Sequence, residues 1–153
     1  MRRRQVALIL ILVVDVGYIL WGAAAAAAPD HLLGPGGQAI LPAGFEGYSG
    51  GSWSALAGSS PMIAGYMTVL YRMYGIYCVL FGLLSSAIAV TAFRRRERWA
   101  WWALLVGNTV ALLSAMTYDR IVNAIGPFEV TEYLGLALVW AAFGMTAGVR
   151  VER

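Results

Sequence analysis

The chain reads as an all-α, four-transmembrane-helix antiparallel bundle with a Gly-rich extracytoplasmic loop after helix 1. Three observations predict it. Four apolar runs, Val6–Ala28, Tyr66–Phe93, Trp99–Tyr118 and Leu134–Val149, are each near or above the length a helix needs to cross hydrocarbon. Runs such as Val6–Val14 and Val79–Leu84 are apolar on every side, whereas a helix of a soluble bundle keeps a polar face. The arginines gather where the runs would meet one membrane border.

That last point sets the topology. Of 11 basic residues, all arginine, Arg2, Arg3, Arg4, Arg94, Arg95, Arg96, Arg98, Arg150 and Arg153 lie at predicted borders. By the positive-inside rule both termini and the connection between spans two and three are cytoplasmic. The net charge of +3 is thereby accounted for without nucleic acid as a partner. A hydrophobic content of 60% leaves no room for a separate soluble domain, so residues 1–153 form one membrane domain. Arginine in place of every lysine, with abundant Ala and Gly, suggests a bacterial source and hence the cytoplasmic (inner) membrane.

The spans are drawn at about 6–28, 64–93, 99–119 and 131–149, with the outer loop at 29–60. Span one follows Arg2–Arg4 and ends in Ala23–Ala28, a pattern shared with secretory signal peptides. Asp15 within the apolar stretch and a length sufficient to cross favour a retained helix. The loop carries Gly34, Gly36, Gly37, Gly44, Gly47, Gly50, Gly51, Gly58, Pro35 and Pro42, which interrupt any long helix. It also carries Leu32, Leu33, Ile40, Leu41, Phe45, Tyr48 and Trp53, too apolar a set for a solvated linker. An ordered cap of short turns over the outer mouth is expected.

Span two starts near Pro61, with Ser59 or Ser60 as N-cap and proline in the first turn. It exceeds the hydrocarbon thickness, so its outer end should project or tilt. Trp99, Trp101 and Trp102 form an inner interfacial anchor, and Tyr66, Tyr71, Tyr74, Tyr118 and Tyr133 an outer belt. Gly126-Pro127 turns the chain into span four, where Gly144 and Gly148 permit close helix approach and leave a homodimer or larger membrane complex open. Glu97 reads as a local salt-bridge partner for its neighbouring arginines.

Ionisable groups inside spans mark functional sites or buried networks. At ~1.5 Å per residue, Asp15 lies roughly 13 Å above Val6, and Asn108 lies at the same depth above Trp99. Ser85 and Ser86 sit slightly lower, so three helices offer polar groups to one midplane layer. A second layer lies ~27–31 Å from the inner edge: Arg72, Asp119 and Glu132, with Arg120 and Glu129 close by. Arg72 is expected to pair with Asp119 or Glu132; Asp15, ~17 Å lower, is out of its reach. Asn108, Leu112, Ala115 and Asp119 share one face of span three, Arg72 lies within ~40° of Ser86 around span two, and Asp15, Tyr18 and Gly22 share a side of span one. If these faces converge, Asp15, Tyr18, Ser86 and Asn108 line a narrow interior site beneath an outer ring of Arg72, Asp119, Arg120 and Glu132. With no cation at its depth, Asp15 is expected as a neutral, hydrogen-bonded acid.

Other candidates are bland. His31 lacks neighbouring ligands for a metal. Cys78 has no partner thiol and reads as a packing residue. Ser49, Ser52 and Ser54 have no nearby histidine base and read as turn formers. No HExxH, CxxC, Walker loop or dinucleotide fingerprint is present, so no catalytic residue, metal or cofactor is expected.

Tyr71-Arg72-Met73-Tyr74-Gly75, an apolar helix, and then Arg94-Arg95-Arg96-Glu97-Arg98-Trp99-Ala100-Trp101-Trp102 resemble the arrangement in small bacterial four-helix membrane proteins of the DoxX-like kind. The resemblance covers spans two to four and implies a four-helix bundle in the cytoplasmic membrane, with no catalytic residue. The long outer loop departs from that family's compact members. A midplane acid in the first of four spans is also similar to small multidrug transporters, where such a carboxylate couples protons to cationic drugs. The leading expectation is a non-enzymatic binder of a lipophilic small molecule, or an accessory subunit, in contact with membrane lipids. Proton-coupled transport through Asp15 comes next. A small enzyme acting on a lipid-like substrate, with Asp15 or Glu132 as general acid, comes third.

Overall fold

A computed structural model describes residues 2–31, 39–123 and 127–147, with the backbone alone for residue 2 and residues 127–129. The expectations that rest on Leu32, Leu33, Gly34, Pro35, Gly36, Gly37, Gly126, Gly148, Arg150 and Arg153, and on the side chains of Arg2 and Glu129, lie outside the described residues. The fold is all-α: among the described residues there are α1 (Arg2–Ala27), α2 (Ile40–Ser49), α3 (Trp53–Ser59), α4 (Pro61–Ile88), α5 (Arg98–Ile121) and α6 (Pro127–Thr146).

Three segments are long and apolar enough to cross a membrane: Arg3–Ala27, Pro61–Phe93 and Arg98–Ile121. A shorter apolar stretch, Val130–Thr146, lies in α6. Their outward faces carry Ile9, Val13, Leu20, Leu80, Leu84, Val106, Val110 and Leu113, all exposed. A monomer in water rarely presents so continuous an apolar surface; hydrocarbon covers it without penalty.

The ends of the helices follow local chemistry. α1 stops two residues before Pro29, whose ring disfavours helix in the residue before it. Pro61 opens α4 at the first helical position after Ser60, where its missing N–H removes no bond. At the inner end α4 widens into a π-helical turn, Ala89–Phe93, closed by Arg94 N–H to Ala89 C=O at 3.2 Å. Arg96 then takes a left-handed conformation (φ 70°), which reverses the chain directly into α5.

α1 and α4 are antiparallel and nearly touch along their backbones. A Cβ on Gly75 would lie 2.5 Å from Ala26 N, and one on Gly22 would lie 2.5 Å from the Gly75 carbonyl oxygen. A Cβ on Gly82 would lie 2.8 Å from the Asp15 carbonyl oxygen. Gly75, Cys78, Gly82, Ser85 and Ala89 recur three and four residues apart, a small-residue seam that lets the two helices close. Gly144 is exposed, and within the chain a methyl added there would meet nothing within 4 Å.

α6 packs on α1 and α5. The inner core holds Phe93 and Phe143, whose ring centroids are 6.0 Å apart, and Trp101 edge-on to Phe143 at 5.3 Å. Trp101 Nε1 donates to Thr146 Oγ1 at 3.0 Å, so the indole ties α5 to α6 within the core. Arg4 closes this end: Nη2 donates to the Phe93 carbonyl, and the guanidinium lies 5.0 Å from the Phe93 ring centroid. A cation on a helix's last carbonyls is favourable. Glu97 accepts from Trp99 Nε1 where an arginine partner was expected.

The outer cap is ordered over its described part, but as two short helices joined by a turn. Gly50, at φ 68°, ends α2 by capping on Glu46 C=O at 2.9 Å. Ser49 Oγ donates to Phe45 C=O at 2.7 Å and accepts from Gly51 N–H at 3.1 Å, the turn role expected of it. Glu46 Oε1 accepts from Trp53 N–H at 2.9 Å and so caps α3, beneath the edge-on contact of Phe45 with Trp53. α3 packs on the outer part of α4, while α2 rests on the end of α5: a Cβ on Gly47 would lie 2.3 Å from the Val122 carbonyl oxygen. The hairpin therefore bridges the outer ends of α4 and α5.

Candidate functional site

Asp15, Ser86 and Asn108, expected in one layer from depth and helical phase, lie in one hydrogen-bonded cluster with Ser85. Asp15 is buried at 0% exposure on α1, Asn108 at 1% on α5, and Ser85 at 4% on α4. Ser86 Oγ donates to Asp15 Oδ2 at 3.3 Å. Asn108 Nδ2 donates to Ser85 Oγ at 3.2 Å and to the Leu104 carbonyl at 3.0 Å. The Ser85 hydroxyl also faces the Asp15 carboxyl, which makes it the link between α1 and α5. Gly82, one turn outward, lets α4 close on Asp15 and Tyr18.

Three polar atoms at this level are buried without a hydrogen-bond partner: Asp15 Oδ1, Asn108 Oδ1 and Tyr18 Oη. Tyr18 is half-buried, its ring edge-on to Phe81 at 5.0 Å, and its phenol lies within electrostatic range of Asp15, Cys78 and Glu132. Phe81 in turn is the side chain nearest Gly107 of α5, 3.7 Å from where a Cβ would stand.

No protein-family model matches the chain. Neither a curated protein nor a solved structure matches it. The site is therefore read from its own geometry.

The residues expected to form an outer ring lie on α4, α5 and α6. Arg120 donates from Nη2 to Tyr133 Oη at 2.8 Å and joins α5 to α6. Asp119 and Glu132 are half-buried. Arg72 is exposed. Its phase around α4, close to that of Ser86, puts it on the flank of the helix. The α1–α4 seam rotates Gly75, Cys78 and Gly82 inward and leaves Arg72 beside the groove. Tyr71, half-buried, and Cys78, buried, read from sequence as belt and packing residues, share the face of α4 that carries Gly75 and Gly82, whereas Tyr74 is exposed. Tyr71 lies within electrostatic range of Asp119. The signal that locates them is the small-residue spacing of Gly75, Cys78 and Gly82, which identifies the inward face of α4.

His31 is exposed, and among the described residues no group of three His, Cys, Asp or Glu side chains converges. The arrangement offers a carboxylate, two hydroxyls, a phenol and an amide oxygen in an apolar surround. It can hold a positive charge or a hydrogen-bond donor.

Proposed function

We propose that this chain is a four-span protein of the bacterial cytoplasmic membrane, termini inside, that acts non-enzymatically by binding a small molecule or ion at Asp15. Spans one to three are α1, α4 with its π-helical turn, and α5; α6 supplies the fourth. The observation that carries the reading is Asp15 itself. A carboxyl at 0% exposure takes the Ser86 hydrogen bond at 3.3 Å, faces the Ser85 hydroxyl and leaves Oδ1 without a partner; Asn108 Oδ1 is in the same condition. A helix contact kept only for stability would leave fewer buried acceptors empty, because each unsatisfied one costs about 1–3 kcal/mol. A species that brings positive charge or a donor removes that penalty.

A lipophilic ligand would place its donor or positive group at Asp15 and its apolar body between the helices. Proton coupling is the second reading, favoured by the closure of the layer: Asp15 and Asn108 are sealed, and a proton needs no cavity. The DoxX-like resemblance is compatible with either.

Native mass spectrometry of the mildly solubilised protein tests the proposal. A stoichiometric added mass in wild type that is absent from Asp15→Ala supports ligand binding and gives the ligand's mass. A bare protein in both, with Asp15→Asn unchanged in stability across pH and salt, would leave the polar layer as helix glue and end the proposal.

A further inference from the structure

The donor and acceptor balance of the midplane layer narrows what Asp15 binds. Both protons of the Asn108 amide are used, on Leu104 C=O and Ser85 Oγ, which leaves its buried Oδ1 as an acceptor only. An ionised carboxylate adds about four lone-pair sites. Against these stand the hydroxyl protons of Ser85 and Ser86, and the Ser86 bond at 3.3 Å is long for O–H to O. Among the described residues no cationic side chain reaches Asp15: Arg4 is held at Phe93, and Arg72 is exposed near the outer end. The layer holds surplus oxygen and a deficit of positive charge.

Its dimensions limit the occupant further. At 0% exposure nothing as large as water touches Asp15. Beside it the α1 and α4 backbones are already closed: a Cβ on Gly82 would lie 2.8 Å from the Asp15 carbonyl oxygen. An organic group would have to part the helices to enter. A single carboxylate suits a monovalent ion, since a divalent one would leave net charge in hydrocarbon. Carboxylate, hydroxyl and amide oxygens are hard donors suited to hard cations.

We infer that Asp15, Ser85, Ser86 and Asn108 form a binding site for a dehydrated monovalent cation of sodium's size. This rests on the reading of Asp15 as a binding residue and names its ligand class. Sodium and lithium, as the smaller ions, are favoured over potassium, whose wider oxygen shell needs more room than a layer closed to water offers.

The test is thermal unfolding of the full-length protein in detergent, with NaCl, LiCl, KCl or choline chloride at constant ionic strength. Sodium at a hundredfold excess over its Kd raises Tm by roughly 5–10 °C. Choline and potassium leave Tm flat. Asp15→Asn, which keeps the side chain's shape, abolishes the sodium response, and Ser86→Ala weakens it several-fold. A folded wild type whose Tm is indifferent to sodium overturns the cation assignment. If that protein instead responds to pH and Asp15→Asn does not, the site takes a proton, and Asp15 stands as a binding residue without sodium. If sodium, pH and added mass all fail to separate wild type from Asp15→Asn, both the assignment and the reading beneath it fall.

Discussion

Replacing Gly75 by alanine strikes the feature on which the interior layer depends. The new Cβ would stand 2.5 Å from Ala26 N, 2.6 Å from the Gly22 carbonyl oxygen and 3.0 Å from Ala25 C, where ordinary contact begins at 3.4 Å. All three neighbours are backbone, so no rotamer change relieves the clash. The helices must part by roughly 1 Å, an overpacking that costs about 1–3 kcal/mol. Alanine's better helix propensity returns about 0.5–1 kcal/mol. The net loss is ~1–2 kcal/mol, a fall in Tm of roughly 2–8 °C for a chain of this size. Parting α1 from α4 also stretches the Ser86–Asp15 bond, already 3.3 Å, beyond hydrogen-bonding range. The internal control is Gly17→Ala or Gly65→Ala, where a Cβ meets nothing within 4 Å; these should hold Tm or raise it slightly. The assay is thermal unfolding in a mild detergent, followed by tryptophan fluorescence. If Gly75→Ala matches the Gly17 and Gly65 controls, direct backbone contact between α1 and α4 is refuted.

Other expectations follow from single contacts. Gly47→Ala puts a Cβ 2.3 Å from the Val122 carbonyl oxygen, so α2 should lift from α5 while the bundle stays folded; hydrogen exchange should accelerate over Ile40–Ser49 and not over Arg98–Ile121. Arg4→Gln removes the cation over Phe93 and weakens the cap on its carbonyl, a loss of about 1–2 kcal/mol read as lower Tm and faster exchange at the inner end of α4. Arg4→Lys should recover only part of it, since an ammonium lacks the planar fork. Trp101→Phe keeps the aromatic packing on Phe143 but leaves buried Thr146 without its indole donor, and should cost about 1 kcal/mol in unfolding free energy.

Much of the architecture is written along single helices, where depth and rotation are local quantities. Each residue advances ~1.5 Å and ~100°, so Asp15, Ser86 and Asn108 can be assigned to one layer, and Asn108, Leu112, Ala115 and Asp119 to one face, before any neighbour is known. Asn108 and Leu112 are buried, and Ala115 and Asp119 half-buried, as that count requires. Pro61 at the start of α4 and the serine turn after α2 are equally local, because they express backbone chemistry of a few residues.

What one helix cannot state is how far it is rotated toward another. Arg72 and Ser86 differ little in phase, yet the one is exposed and the other bonded to Asp15, because the α1–α4 seam fixes α4's rotation at Gly75, Cys78 and Gly82. The same ambiguity hides which glycines work: Gly22, Gly75 and Gly82 meet backbone, whereas Gly144 meets nothing. Arg4 looks in sequence like a topology signal, and becomes a cap on Phe93 only when the ends of α1 and α4 coincide. The helical hairpin of the cap, broken in sequence by glycine and proline, is held in place by α4 and by the end of α5. Composition, depth and phase were determined by the sequence, because backbone geometry repeats within a helix. Partner and rotation were decided by the tertiary structure, because they belong to packing between helices.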